Sequence, residues 1–368
     1  AEEGKRAYGR TIPAGFSHKR LVTLRHPVGV CAAVSPWNFP LMLQARKIAP
    51  ALAAGCGVVC RPASQTPLCL LQLFELIEAE GDFPPGIVNL VTGPADEIAG
   101  EFMNNPVCRK LSFTGSTAVG KELIRQSAAQ VKNLSLELGG HAPTLVLPDA
   151  DLEMAARASV MGKFRNNGQV CICPTRVFVH EKIYDPFVEA CVEETRRLRL
   201  GNGLDPETHI GPMFELPALV KAVDLVAEAL DKGARCVLGG DRASGFDKGY
   251  FYQPTILTNM QESMRMMQEE PFSPVMPILK FTDLDEVLVR ANATRYGLAA
   301  YIMTRDLNAA CRLAEGLEFG IIGINDTVPG TPQAPFGGLK ESGLGREGGP
   351  EGLDAYLETK YVSIGLDP

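Results

Sequence analysis

Residues 110–140 read KLSFTGSTAVGKELIRQSAAQVKNLSLELGG. KLSFTG is a short, largely apolar strand closed by Gly115. STAVGKELIRQSAAQ has the spacing of an amphipathic helix, with Ser116 placed to cap it, and NLSLELGG is a second strand ended by a double glycine. Strand, helix and strand in that order form a parallel crossover unit. The same alternation extends upstream. GVVCRP and IVNLVTG are short strands, and they sit among three helical stretches: residues 41–54, the segment TPLCLLQLFELIEAEGDFP that ends near Gly81, and DEIAGEFMNNP. Residues 28–140 therefore predict a nucleotide-binding α/β domain. Residues 8–34 read as strands. Downstream, PTLVLP, TRVFVH, RCVLGG and MPILKF alternate with helices such as YDPFVEACVEETRRL, which predicts a second α/β domain over 141–345. The tail AYLETKYVSIGL reads as a strand reaching beyond that domain, a form that often pairs with another subunit.

The chain has 368 residues, enough for about two to three domains. With 45% hydrophobic and 21% charged residues, a sizeable core is expected. Thirty-six basic against 43 acidic residues give −7, and no basic block occurs, so neither nucleic acid nor an anionic membrane is an expected partner. The longest apolar-rich stretch, Ile48 to Val59, is broken by Pro50, Gly55 and Gly57 and does not read as a membrane span. The ten cysteines show no C-x-x-C pair and no zinc-site spacing, so no metal is expected. They read as buried thiols in a reducing compartment, and with no signal peptide at the start the expected location is cytoplasmic.

Three segments carry candidate chemistry. GSTAVGKE (115–122) nearly spells a phosphate-binding loop, but Glu122 stands where Ser or Thr would hold magnesium. The geometry suits instead a dinucleotide pyrophosphate at a helix N-terminus, with Gly115 allowing close approach, although no G-x-G-x-x-G is present. FRNNGQVCICPT (164–175) puts Cys171 after a Gly-Gln turn with Cys173 two residues on; taken alone, a buried cysteine pair fits equally well. LELGG ends a strand at Glu137, and PWNFP (36–40) holds the only tryptophan; taken alone these are a solvated glutamate and a packing corner.

Together with RPASQTP, FTGST, EEPFSPV and PFGGLKESGLGRE, in this order from about residue 5 to 365, these segments resemble the NAD(P)-dependent aldehyde dehydrogenase family. Within it the likeness is to the succinate-semialdehyde dehydrogenase branch, on FRN-x-GQ-x-C-x-C, RPASQTP and SGLGREG with ETKYV. The resemblance implies two Rossmann-like α/β domains with parallel sheets and a small β oligomerisation arm. It divides the chain into 1–27 (N-terminal segment and first part of the arm, the family's preceding residues apparently missing), 28–140 (NAD(P)-binding), 141–345 (catalytic) and 346–368 (C-terminal part of the arm). It further implies a homodimer or homotetramer.

Residue by residue, the resemblance implies that Cys171 is the nucleophile, that Asn38 and the Cys171 N–H stabilise the oxyanion, and that Glu137 is the general base. Pro36, Trp37, Arg61, Ser64, Gly115, Ser116, Leu138, Glu270 and Phe272 match cofactor-binding positions. Arg46 and Arg165 match positions that hold a substrate carboxylate, and Cys173 is a possible redox partner of Cys171.

The chain departs from the family at Arg61 (usually lysine), at His141 and at Ser273 (usually glycine). Ser64 stands where NAD-preferring relatives often carry glutamate, so NADP is expected to serve at least as well as NAD. Gly330 and Thr331 stand near a position where the branch has a substrate-binding serine. The expected reaction is oxidation of succinate semialdehyde to the acid. The alternatives are 2-oxoglutarate semialdehyde, a broad aldehyde range, or, from another class, a truncated inactive relative that forms oligomers.

Overall fold

The computed structural model describes residues 2–367. The chain divides into two compact units. The first comprises residues 1–138, 330–337 and 343–368, and the second residues 139–329 and 338–342.

In the first unit the elements are β1 (Arg10–Ile12), β2 (Lys19–Pro27), β3 (Val30–Val34), α1 (Pro40–Ala53), β4 (Val58–Arg61), α2 (Leu68–Glu80), β5 (Val88–Leu90), α3 (Ala95–Asn104), β6 (Cys108–Thr114), α4 (Thr117–Ser127) and β7 (Asn133–Glu137). The second unit contains β8 (Ala142–Val146), α5 (Leu152–Phe164), β9 (Pro174–His180), α6 (Tyr184–Arg196), α7 (Leu216–Asp231), β10 (Arg235–Leu238), β11 (Thr255–Thr258), α8 (Arg265–Gln268), β12 (Val275–Phe281), α9 (Leu284–Asn292), β13 (Tyr296–Gly297), β14 (Ala299–Met303), α10 (Leu307–Gly316), β15 (Ile321–Ile324) and β16 (Leu339–Lys340). The chain then returns to the first unit with β17 (Gly343–Leu344), α11 (Gly349–Asp354) and β18 (Leu357–Gly365).

The first unit's main sheet has the order β17-β7-β6-β3-β4-β5, parallel except for the β17 edge. Its strands read as near-continuous apolar runs because both faces are covered, one by a core that includes Ile48, Ala51 and Leu70, the other by one that includes Phe102, Leu111, Leu123 and Leu136. Helix boundaries follow local chemistry. Pro40 opens α1, the Ser116 hydroxyl caps α4 by accepting from Val119 N at 3.4 Å, and Gly81 ends α2 in the left-handed conformation, φ 68°. Glu122, where a phosphate-binding loop would have Ser or Thr, is met on the outer face of α4 by Arg125 and Gln126.

The stretch 8–34 is three strands, not one run. Residues 15–18 form bends and turns between β1 and β2, and Gly29, φ 117°, sits in the two-residue link between β2 and β3. β1, β2 and β18 form a separate antiparallel sheet, in which β18 pairs with β2 over the full nine residues from Leu357↔Pro27 to Gly365↔Lys19. The second unit's sheet has the order β10-β11-β12-β9-β8-β14-β15, parallel except for the β10 edge, over a large core that includes Phe178, Leu225, Tyr252 and Leu279.

The chain crosses between the compact units after residues 138, 329, 337 and 342. Residues 330–337 return to the first unit, and β17 pairs with β7, Gly343 opposite Glu137. That pairing needs glycine: at Gly343, φ 150°, a Cβ would lie 2.0 Å from the Leu136 carbonyl oxygen. Gly343→Ala is therefore expected to destabilise the protein by at least about 1–3 kcal/mol, the range for backbone strain alone. A lowered urea midpoint with unchanged m-value checks this, and an unchanged midpoint contradicts it.

Candidate active site

In the first unit every candidate residue of the sequence reading that falls on a strand end falls on the same sheet edge. Val34, Arg61, Phe113 and Leu136 stand in register near the carboxyl ends of the parallel strands β3, β4, β6 and β7, and Glu137 comes next, opposite Thr114. Pro36, Trp37 and Asn38 follow β3, Arg61 ends β4 with Ser64 just beyond, Gly115 and Ser116 follow β6, and Glu137 and Leu138 end β7. The chain runs outward from β3 through β4 to β5 and then returns to the other side of β3 for β6 and β7, so the strand order reverses between β3 and β6. An open parallel sheet binds ligands at the carboxyl edge beside such a reversal. The Arg61 guanidinium donates to Ser64 Oγ at 2.8 Å and to Gly93 O at 3.4 Å, which puts a cation beside an exposed hydroxyl on that edge.

Glu137 is buried, and its Oε2 has no hydrogen-bond partner among the described residues. Burial, and secondarily the Glu347 carboxylate, hold its carboxyl well above the ordinary range, against the opposing pull of Lys47, Arg346 and Arg46. Lys47 is itself fully buried on α1, paired with Glu347 and donating to Thr114 Oγ1 at 2.7 Å. Gly337 makes room for this carboxyl, since a Cβ there would lie 2.8 Å from Glu137 Oε1. One residue earlier on α1, the half-buried Arg46 guanidinium stacks 4.3 Å from the Phe336 ring centre. A Cβ on Gly330 would meet only Arg46 Nη2, at 3.6 Å.

The second unit gathers its candidates at the opposite kind of edge. Gly139–His141, Cys171 and Glu270–Ser273 precede the amino ends of β8, β9 and β12, which are neighbours in the sheet. Gly140 N–H donates to Glu270 Oε1 at 3.0 Å, and a Cβ on Gly140 would lie 2.1 Å from the Cys171 carbonyl oxygen, so the three loops are in direct contact. After α5 ends at Phe164, three residues in succession are left-handed: Asn166, φ 49°, Asn167, φ 60°, and Gly168, φ 68°. Gly and Asn are the residues that visit this region most readily.

The run is pinned by Asn167 Nδ2 donating to Gly211 O at 2.7 Å and by Gln169 Oε1 accepting from Phe214 N at 3.1 Å. Beyond it, Cys173 N–H closes a turn on Val170 O at 3.0 Å, and the buried Tyr301 hydroxyl donates to Ile172 O at 2.5 Å. Cys171 is therefore half-exposed at the crest of a turn whose backbone is fixed on both sides. Cys173 is buried, its thiol directed to Lys163 O at 3.4 Å and pushed up by desolvation. Arg165 is exposed at the start of the left-handed run.

Phe272 is a second outlier, φ 49°, costly for a bulky residue and typical of a functional constraint. Glu270 is half-buried, and desolvation pushes its carboxyl up to about 7 despite the bond from Gly140 and the nearby Lys221. His141, where the sequence departs from the family pattern, is fully buried with Nδ1 2.8 Å from Thr175 Oγ1. Burial and then Arg176 keep its pKa well below the ordinary value, so it is neutral.

The structure adds residues that no local motif announces. Lys47 and Glu347 lie 300 positions apart, and Tyr301 reaches Ile172 across 129. Ser342 Oγ donates to Gly139 O at 2.7 Å and accepts from Gly297 N at 2.9 Å, so it fixes the glycine pair. Ser342 and Glu347 lie inside the quoted PFGGLKESGLGRE segment, which was the available signal; Tyr301 had none.

Comparison with known proteins places this arrangement. Residues 1–362 match the model of the aldehyde dehydrogenase family. The NADP(+) succinate-semialdehyde dehydrogenase of Escherichia coli is 48% identical over 366 residues, covering 100% of this chain and 75% of that protein. The 3-sulfolactaldehyde dehydrogenase of Pseudomonas putida is also 48% identical, covering 99% and 74%. The crystal structure of an E. coli NADP-dependent enzyme superposes with a TM-score of 0.97 at 47% identity, covering 99% of this chain and 75% of the other.

The raised Glu270 carboxyl makes stability depend on pH. Its native pKa of about 7 exceeds the ordinary 4.5, so the stability this group contributes is present in full below about 4.5 and is lost as pH rises through about 7. Between those values the slope from this group alone approaches about −1.4 kcal/mol per pH unit. Glu270→Gln is expected to flatten the pH dependence of urea unfolding across that window. An unchanged slope would show that Glu270 titrates normally.

Proposed function

We propose, from the premise that this chain belongs to the aldehyde dehydrogenase family, that it oxidises an aldehyde bearing a carboxylate, succinate semialdehyde above all, to the acid with NADP+ or NAD+. The observation that carries the reading is the Cys171 turn: a half-exposed thiol on a backbone over-determined by a left-handed run before it and a buried tyrosine hydrogen bond after it. Such preorganisation costs stability and suits a nucleophile that must attack along one direction.

In the proposed mechanism the Cys171 thiolate attacks the aldehyde carbon to form a thiohemiacetal. The Asn38 side-chain amide and the Cys171 N–H stabilise the oxyanion. NAD(P)+, when bound, supplies the hydride acceptor, and the thiohemiacetal becomes a thioester on Cys171. Glu137 takes a proton from the water that attacks the thioester carbonyl; the C–S bond breaks and the acid leaves. A raised carboxyl pKa makes Glu137 a stronger base than an exposed glutamate.

The first unit's carboxyl edge fits the cofactor. Pro36, Trp37, Gly115, Ser116 and Leu138 border the strand-order reversal, and Arg61 with Ser64 offers a cation and a hydroxyl where a 2′-phosphate would be welcome. Glu270 and Phe272 in the second unit are proposed to hold the nicotinamide ribose. The sheet of β1, β2 and β18 exposes Leu24, Tyr361 and Ile364 and is proposed to join copies into a homodimer or homotetramer. Ten free cysteines fit a reducing compartment such as the cytoplasm. No helix among the described residues is long and apolar enough to cross a membrane.

Arg46 and Arg165 are proposed to hold the substrate carboxylate. The lack of a side chain at Gly330, where a Cβ would touch Arg46 Nη2 at 3.6 Å, favours, as a second reading, a longer acid such as 2-oxoglutarate semialdehyde. A charge-assisted hydrogen bond contributes about 1.5–3 kcal/mol, or about 10- to 150-fold in binding. Arg46→Ala and Arg165→Ala are each expected to lower kcat/KM for succinate semialdehyde by about that factor and to leave butanal almost unaffected. Equal losses on both aldehydes would mean the arginines are structural and the substrate range broad.

A further inference from the structure

A group of thiols with a buried amine lies in the first unit away from the residues used above. Cys31 on β3 and Cys56 in the turn before β4 are both 1% exposed and belong to one core cluster. The Cys31 N–H bonds Gly57 O at 2.8 Å, which draws the segment carrying Cys56 against β3. The two thiols are neighbours at the Val28–Gly29 backbone. The Cys31 thiol lies 3.5 Å from Gly29 O, and Cys56 meets the same backbone at Val28 and Gly29.

Opposite Cys31 in the β3–β6 register stands Lys110, fully buried. Its Nζ donates to Asn133 Oδ1 at 2.8 Å and Ser135 Oγ at 2.6 Å and lies 5.0 Å from the Tyr356 ring centre. The Cys56 thiol in turn donates to Tyr356 O at 3.5 Å, and that carbonyl also accepts from Val28 N at 3.0 Å, where the chain enters β18. Cys56 directly follows the exposed Gly55, which puts it one residue from solvent.

We propose that Cys31 and Cys56 form a peroxide-driven disulfide that clamps β3 to the turn before β4 at the root of β18. The steps balance. The Cys56 thiolate attacks one oxygen of hydrogen peroxide, the O–O bond breaks, and hydroxide leaves as water with the thiol's proton, giving a sulfenic acid. The Cys31 sulfur then attacks the sulfenyl sulfur, the S–S bond forms, the S–O bond breaks, and a second water leaves with the Cys31 proton. Two thiols are oxidised and one peroxide is reduced to two waters.

The electrostatics assign the order. The hydrogen bond from Cys31, with backbone donors and Lys110, lowers the Cys56 thiol to about 7, while the Cys31 thiol is pushed up by its bond to Cys56 and by burial and keeps its proton. Cys108, the third thiol nearby, is held to Lys110 O at 3.5 Å and pushed up by desolvation, so it is not the partner.

The test is to expose the full chain to hydrogen peroxide, block free thiols, digest without reduction and read the peptides by mass spectrometry. A Cys31–Cys56 cross-link lighter by two hydrogens and reversed by dithiothreitol is expected. Cys31→Ser should abolish the cross-link and let Cys56 proceed to sulfinic acid. Lys110→Met, with a far-UV spectrum matching the parent's, should slow cross-linking at least about tenfold through loss of thiolate. Because Cys31→Ser could fail to fold, Cys56→Ser is carried in parallel, and in it Cys31 should stay reduced. The proposal is overturned if both thiols stay reduced while Cys171 is oxidised, or if Cys31 pairs with Cys108 instead.

Discussion

The burial of one carboxyl, Glu137 at the end of β7, constrains much of the first unit. A charge removed from water must be paired, neutralised or left protonated. Here Lys47 is buried with it, and Glu347 is drawn in from 300 positions away from Lys47 to pair with that lysine. Side-chain bulk beside the carboxyl is removed at Gly337, and the chain comes back through Gly343 to close the strand edge next to it. The first unit is discontinuous: residues 330–337 and 343–368 belong to it although the chain has passed through the second unit before reaching them.

The second unit solves a different problem, that of holding a half-exposed thiol, Cys171, on irregular backbone. Loops that precede strands lack the ladder that fixes the strands themselves, so their geometry must come from side chains and close approaches. Asn167, Gln169, Tyr301 and Ser342 supply hydrogen bonds, and Gly140 and Gly168 permit contacts that any Cβ would forbid. Asn166, Asn167 and Phe272 in these loops all hold positive φ. Three such residues in the loops beside one cysteine fit a preorganised site.

Much of this was legible in the sequence. The alternation over 28–140 identified the parallel sheet because its strands are short apolar runs and its helices carry clear punctuation at Pro40, Ser116 and Gly81. Most of the motif residues stand out because they sit where regular structure ends, and strand ends leave their mark in glycine, proline and asparagine. What could not be read were partners distant along the chain. Nothing near Tyr301 indicates that its hydroxyl meets Ile172, and nothing near Lys47 marks a lysine that will be fully buried. The division of PFGGLKESGLGRE between the two units was hidden for a related reason. Its glycines announce close approach but not to what, so Gly343 meeting Leu136 and Ser342 meeting Gly139 emerge only in three dimensions.

The central claim of the account is that catalysis proceeds through a thioester on Cys171 whose hydrolysis depends on Glu137. Rapid mixing of the Glu137→Gln variant with succinate semialdehyde and NADP+ tests it most directly. The account predicts a burst of NADPH absorbance close to one equivalent per active site, followed by almost no turnover, with the intact chain heavier by one succinyl group at Cys171. A variant that turns over at the parent's rate, or one that shows no burst and carries no adduct although it binds cofactor, would contradict it.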